Sequence, residues 1–132
     1  YVRQHYPERN RVGLLATSGT IRSRVYHDII EKAGLALLTP DEAHQAKVMN
    51  AIYGEKGVKA GYTEGECKED LLAALAHLVE RGAEVAILGC TELPLLLAQN
   101  DDFRVAGKSV VLLDPTEILA RKCVALSSSV RR

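Results

Sequence analysis

Short apolar runs alternate along this chain with longer segments in which apolar residues recur at helical spacing. The runs cover residues 12–16, 35–38, 85–88 and 110–113. Continuous aliphatic runs of this length are typical of strands buried on both faces. The segments between them predict helices over 21–33, 42–52, 67–81, 92–99 and 114–126. This alternation predicts an α/β fold with a four-stranded parallel sheet and helices on both faces.

Local signals mark the ends of several of these helices. Gly34 stands where a helix over 21–33 would end, and Asp41 is placed to cap the helix that follows. Thr63 and Glu66 have the spacing of a capping box. The helix over 21–33 is expected to bury its apolar face against the sheet, namely Val25, Ile29 and Ile30.

The 132 residues suit one domain. We assign residues 1–10 as a linker or tail and 11–126 as a single α/β domain. Residues 127–132, a polar serine- and arginine-rich end, are expected to form a loose C-terminal tail. Residues 100–109 are predicted to form a polar loop.

Charge and cysteine content narrow the class of protein. Lysine plus arginine equals aspartate plus glutamate, 17 of each, so charge gives no argument for a nucleic-acid partner or an anionic membrane. No apolar stretch reaches the ~20 residues that span a bilayer.

The three cysteines, Cys67, Cys90 and Cys123, form no Cys-x-x-Cys pair, which favours reduced thiols and a cytoplasmic location. The four histidines are scattered, so no metal site is expected.

The candidate chemistry lies at the end of the third apolar run. Gly89 permits a tight turn, after which Cys90 would stand at the carboxyl end of a strand, the edge where parallel sheets bind ligands. Thr91 could cap the helix predicted over 92–99, whose first amides favour an anion such as a thiolate or a carboxylate. The alternative is that Cys90 is a small buried apolar residue.

Three stretches together resemble the aspartate/glutamate racemase family. They are residues 12–20, Ile52-Tyr53 followed by residues 58–61, and above all Gly89-Cys90-Thr91-Glu92-Leu93-Pro94. The resemblance implies a fold of two similar α/β lobes with the substrate between them, no cofactor, and one catalytic cysteine from each lobe. This chain is similar to the second lobe, and the lobe with the other cysteine is not in the sequence.

The resemblance also assigns roles to residues of this chain. It implies that Cys90 is the catalytic thiol and that Thr91 holds the substrate α-carboxylate. Thr17 and Thr20 are expected at the rim near the substrate, although either could simply cap the following helix. Lys59 is expected to bind the substrate, by meeting its acidic side chain. Glu92 would orient Cys90, or would only be a favourable charge in a first helical turn.

The function implied is cofactor-independent racemisation of an acidic amino acid, aspartate first and glutamate next. The expected binding partner is a small-molecule amino acid substrate. Two other assignments remain possible. The chain could be related to hydantoin racemases or malonate decarboxylases, or it could be a catalytically incomplete fragment or a small-anion binding module. A single lobe would expose the apolar side that meets its partner lobe, which favours a homodimer.

Overall fold

The computed structural model of the protein describes Val2 and residues 6–115. Its strands are Arg11–Leu15 (β1), Ala36–Leu38 (β2), Val85–Leu88 (β3), Asn100–Val105 (β4) and Lys108–Leu113 (β5). Its helices are Ser18–Ser23 (α1), Val25–Lys32 (α2), Glu42–Tyr53 (α3) and Glu66–Glu80 (α4). Two 3₁₀ turns, Val58–Ala60 and Leu93–Leu95, complete the described elements.

The strands form one sheet in the order β2-β1-β3-β5-β4. The pairs β1–β2, β1–β3 and β3–β5 are parallel, and Leu15 of β1 lies opposite Leu88 of β3. The carboxyl ends of β1, β3 and β5 therefore share one edge of the sheet, the edge where ligands bind in such folds.

The α/β class is confirmed, and the four predicted strands are present within one or two residues of their expected bounds. The sheet has a fifth strand, however, because the predicted polar loop over 100–109 is largely β4, which pairs antiparallel with β5. Most β4 side chains are exposed. An edge strand with little buried surface has no apolar alternation, and so the sequence predicts a loop there.

Side chains of the sheet alternate between two apolar cores, as the period of two in a strand requires. One core contains Leu15, Leu88 and Leu112 with the buried faces of α3 and α4. The other contains Leu14, Ile87 and their neighbours on the opposite face of the sheet, with Ile30 of α2. Helices therefore cover both faces, as predicted.

The first predicted helix is two helices in the structure. Arg24 adopts a left-handed conformation, with φ of 62°, and separates α1 from α2. The expected burial of this segment is also wrong in part, because Val25 is 54% exposed and Ile29 is 60% exposed, and only Ile30 lies in the core.

Two capping predictions have different outcomes. Asp41 caps α3 as predicted, since its side chain accepts a hydrogen bond from the backbone amide of His44. The capping box of Thr63 and Glu66 does not form. The N-cap of α4 is Gly65, at φ of 81°, and no side chain caps that helix.

Residues 6–10, expected in a tail, have contacts with the sheet domain. The Tyr6 hydroxyl donates to Asp101 at 2.6 Å, and the Arg9 guanidinium donates to the carbonyl of Glu84 at 2.8 Å. The predicted helix over 114–126 and the tail over 127–132 fall almost entirely outside the described residues. Within the described part of the chain, no helix has both the length and the apolarity needed to cross a membrane.

Candidate active site

Cys90 follows β3 at the carboxyl edge of the sheet, where the sequence places it. The amide of Gly89 donates to the carbonyl of Leu15 at 2.7 Å, which extends the β1–β3 pairing to the last residue before the thiol. A Cβ atom at Gly89 would lie 2.9 Å from Leu14 Cδ1 and 3.1 Å from the Cβ of Ala16. A side chain at this position would force Leu14 and Ala16 to shift, so glycine lets β3 lie this close to β1 next to Cys90.

Cys90, Thr91 and Glu92 form a small hydrogen-bonded group. The Cys90 thiol donates to Glu92 Oε2 at 2.7 Å, and the Thr91 hydroxyl donates to the same oxygen at 3.1 Å. The amide of Leu93 donates to the carbonyl of Cys90 at 3.1 Å and closes the turn. Glu92 therefore accepts from both side chains, and its role in orienting Cys90 stays a prediction.

Lys59 completes the group from a distant part of the chain. Its Nζ lies 3.0 Å from Glu92 Oε1 and 5.4 Å from the centre of the Tyr53 ring. The loop that carries Lys59 turns at Gly57, where a Cβ would lie 2.9 Å from the backbone carbonyl oxygens of both Asn50 and Ala51. Only glycine fits at this position without a shift of the backbone. The loop is thereby held close to the end of α3.

The three titratable side chains of the group, those of Cys90, Glu92 and Lys59, shift one another's pKa values. The hydrogen bond from Cys90 and then the ion pair with Lys59 lower the pKa of Glu92 to about 2. Burial and then the hydrogen bond to Glu92 raise the pKa of the Cys90 thiol. Glu92 in turn raises the pKa of Lys59. At pH 7 the group is therefore a neutral thiol, a carboxylate and an ammonium, with no net charge.

The prediction of a helix over 92–99 is wrong. The segment instead forms the 3₁₀ turn Leu93–Leu95, which no side chain caps. The argument from a helix N-terminus, with Thr91 as its cap, therefore does not apply to Cys90. The carboxylate and ammonium beside the thiol determine its electrostatic surroundings instead.

Thr17 and Thr20 lie at the end of the neighbouring strand β1. Thr17 caps α1, accepting a hydrogen bond from the amide of Thr20 at 3.2 Å, and the two hydroxyl oxygens are 3.0 Å apart. One of the two hydroxyl-bearing residues therefore has the capping role that the sequence leaves open. Contact of either residue with a substrate stays a prediction.

Tyr26, on α2, is not among the residues that the sequence predicts for this rim. Burial, then the negative charge of Asp114 and then Cys90, raise the pKa of its hydroxyl. Tyr26 is partly buried and packs against the core that contains Leu14 and Ile87. The sequence gives no signal for it beyond an aromatic residue in a mostly exposed helix.

The pH dependence of Cys90 alkylation should reveal the charges around it. A thiolate is the reacting form, and a raised pKa shifts its formation to higher pH. Glu92→Gln removes the negative charge that favours the thiol, so iodoacetamide should modify Cys90 several-fold faster at pH 8. Lys59→Gln removes the favourable cation and should slow the same reaction.

Mass spectrometry of the modified peptides distinguishes Cys90 from Cys67, which is buried and serves as the internal control. Equal rates in both variants would contradict this electrostatic description.

Comparison with known proteins identifies the family to which this chain belongs. The sequence profile of the Asp/Glu/Hydantoin racemase family matches residues 2–123. The chain belongs to this family. The match covers every described element and therefore includes both the sheet and the Cys90 group.

Individual relatives agree with this assignment. An uncharacterized protein from the pnlA 3′ region of Pectobacterium carotovorum subsp. carotovorum is 39% identical over 116 residues, which cover 86% of this chain and 71% of that protein. A glutamate racemase of Shewanella sp. (strain MR-7) is 27% identical over 92% of this chain, but only 42% of the racemase is matched. The crystal structure of an aspartate racemase homologue from Pyrococcus horikoshii OT3 has a TM-score of 0.73 at 27% identity, over 96% of this chain and 51% of that one. The chain thus spans two fifths to one half of these racemase relatives, the share expected of one lobe.

Proposed function

We propose that this chain is one lobe of a cofactor-independent amino acid racemase, in which Cys90 exchanges the α-proton of an acidic amino acid. Aspartate is the first candidate substrate and glutamate the second. The observation that supports this proposal most is the Cys90 thiol at the carboxyl edge of the sheet, donating to a carboxylate that Lys59 neutralises. Membership in the racemase family supplies the reaction type.

The proposed chemistry is a balanced proton transfer. In one direction the Cys90 thiolate takes the proton from the α-carbon, leaving a carbanion and a neutral thiol. In the other direction the thiol gives its proton to the carbanion and becomes the thiolate. A second acid on the opposite face of the α-carbon completes the inversion, and the family resemblance assigns that role to the cysteine of the other lobe. The resting geometry, with a protonated thiol, corresponds to the proton-donating state of Cys90.

Substrate carboxylates would meet the group at two points. The Thr91 hydroxyl is committed to Glu92, so we assign its backbone amide to the α-carboxylate. Lys59 contacts Glu92, yet its ammonium carries three N–H donors and its side chain is 46% exposed. A donor of Lys59 is therefore available for the side-chain carboxylate, which favours an acidic amino acid over a neutral one. Thr17 and Thr20 remain candidates for further contacts at the rim.

Exchange of the α-proton with solvent tests the proposal without requiring full racemisation. The 132-residue chain would be incubated in heavy water with L- or D-aspartate, with glutamate and alanine as comparisons, and deuterium at the α-carbon followed by NMR. We expect exchange of one or both enantiomers of aspartate, slower exchange of glutamate and none of alanine. Binding of aspartate without exchange would favour a small-anion binding module. Neither binding nor exchange would contradict the proposal for this chain.

A further inference from the structure

Three ligating side chains meet at the start of α3, away from the Cys90 group. Asp41 is the N-cap of α3 and His44 lies in its first turn, whereas His77 belongs to α4. Each offers an oxygen or nitrogen ligand atom, and these three atoms lie within 4.8 Å of one another. The His44 Nδ1 is 2.6 Å from Asp41 Oδ1, and His77 Nε2 is 3.7 Å from Asp41 Oδ2.

We propose that Asp41, His44 and His77 form a binding site for a divalent transition-metal ion of the Zn²⁺ class. Two imidazole nitrogens and one carboxylate oxygen are ligands that zinc takes in proteins. In a zinc site each ligand atom lies about 2.0–2.2 Å from the ion. Here the ligand atoms lie between 2.6 and 4.8 Å from one another, a range that includes the separation of two ligands bound to the same ion. The partial exposure of the site leaves the remaining coordination positions to water.

The hydrogen bonds in the cluster show which lone pairs an ion would use. The backbone amide of Asp41 donates to His77 Nε2 at 3.3 Å, so that nitrogen is unprotonated, and an ion would replace this hydrogen bond at its single lone pair. The Asp41 carboxylate accepts from the amide of His44 at 2.8 Å through Oδ1, which leaves Oδ2, on the side of His77, for an ion. Asp41 can therefore cap α3 and ligate a metal at the same time, because each carboxylate oxygen has two acceptor sites.

Metal binding requires changes at both histidines. His77 Nε2 must exchange the Asp41 amide for the ion, and His44 must either give up the proton that its Nδ1 shares with Asp41 or bind through Nε2. The His44 and His77 rings are stacked with their centres 3.9 Å apart and their planes 1° from parallel. An imidazole binds a metal in the plane of its ring, so two parallel stacked rings cannot both ligate one ion. We expect the His44 ring to turn, because its side chain is 30% exposed whereas that of His77 is 16% exposed.

The position of the site assigns it a structural role. It ties the first turn of α3 to α4, while the loop carrying Lys59 follows the other end of α3, about 18 Å away for a 12-residue helix. The ion would therefore stabilise the packing of α3 against α4 and take no part in proton transfer at Cys90.

Calorimetric titration of ZnCl₂ into the chelator-treated 132-residue chain tests the site. We expect one ion per chain, and binding at least about tenfold weaker in His44→Gln, His77→Gln and Asp41→Asn. Asparagine caps a helix as well as aspartate does, so Asp41→Asn removes the ligand charge while keeping α3 capped. NMR of the wild-type histidine rings provides a readout without a mutation, since Zn²⁺ should shift His44 and His77 and leave His27 unchanged.

Two control variants separate this site from other zinc ligands. His27→Gln removes a histidine on α2, and Cys90→Ser removes the partly buried thiol; both should bind Zn²⁺ as the wild type does. No saturable binding by the wild-type chain would overturn the proposal. Binding that persists unchanged in all three cluster variants, or that is lost in Cys90→Ser alone, would also overturn it, the latter by placing the ion at the thiol.

Discussion

Replacing Cys90 by serine should reduce the α-proton exchange of aspartate at least about a hundredfold, the usual scale for loss of an acid–base group. A serine hydroxyl is far less acidic than a thiol, so it cannot supply the base that removes the α-proton. The hydroxyl can still donate to Glu92 as the thiol does. We therefore expect the fold and the Glu92–Lys59 ion pair to persist. Deuterium incorporation into L- and D-aspartate, followed by NMR under identical conditions, measures the loss.

Cys67→Ser is the matched control for this substitution. Cys67 is buried in α4, where its thiol donates to the carbonyl of Glu64 at 3.5 Å. Its replacement should lower stability and leave the exchange per folded molecule unchanged. Exchange that survives in Cys90→Ser, or that disappears equally in Cys67→Ser, would remove Cys90 from the proposed role.

The position of Cys90 could be predicted from the sequence because the evidence for it is local. Val85–Leu88 is a continuous apolar strand, and a glycine follows it directly. Parallel strands place their carboxyl ends at one edge, so the residue after Gly89 had to lie at the rim. The same local reasoning predicted the cap at Asp41, which depends only on the three residues that follow it.

The features that local patterns could not show depend on contacts between distant parts of the chain. Nothing in the spacing of Lys59 and Glu92 indicates an ion pair across 33 positions, and the family resemblance assigned Lys59 to the substrate rather than to Glu92. His77 likewise meets Asp41 from 36 positions away. Strand β4 was missed because its pairing with β5, rather than apolar burial, holds its exposed side chains in a sheet.

The sequence also could not predict a backbone conformation that its residue type rarely adopts. Arg24 takes a left-handed conformation that is uncommon for residues other than glycine, asparagine and aspartate. The continuous apolar spacing over 21–33 therefore predicted one helix where the chain forms two.

The second large effect is expected from Leu93→Ala, which should lower the free energy of unfolding by about 2–5 kcal/mol. Leu93 follows Glu92 directly and is completely buried in the core that also contains Leu15 and Leu88. Its side chain anchors the turn that carries Cys90 and Glu92. Removing its methyl groups leaves a cavity under that turn. Urea denaturation, monitored by circular dichroism, measures the change.

Leu95→Ala makes the same chemical change two residues later in the same 3₁₀ turn. Leu95 is 62% exposed, so this substitution should change the unfolding free energy by less than about 0.5 kcal/mol. The pair therefore separates burial from the effect of alanine on the turn itself. If the two variants lose equal stability, the turn is not anchored by Leu93. In that case the orientation of Glu92 toward the thiol depends on its ion pair with Lys59 rather than on the core beneath it.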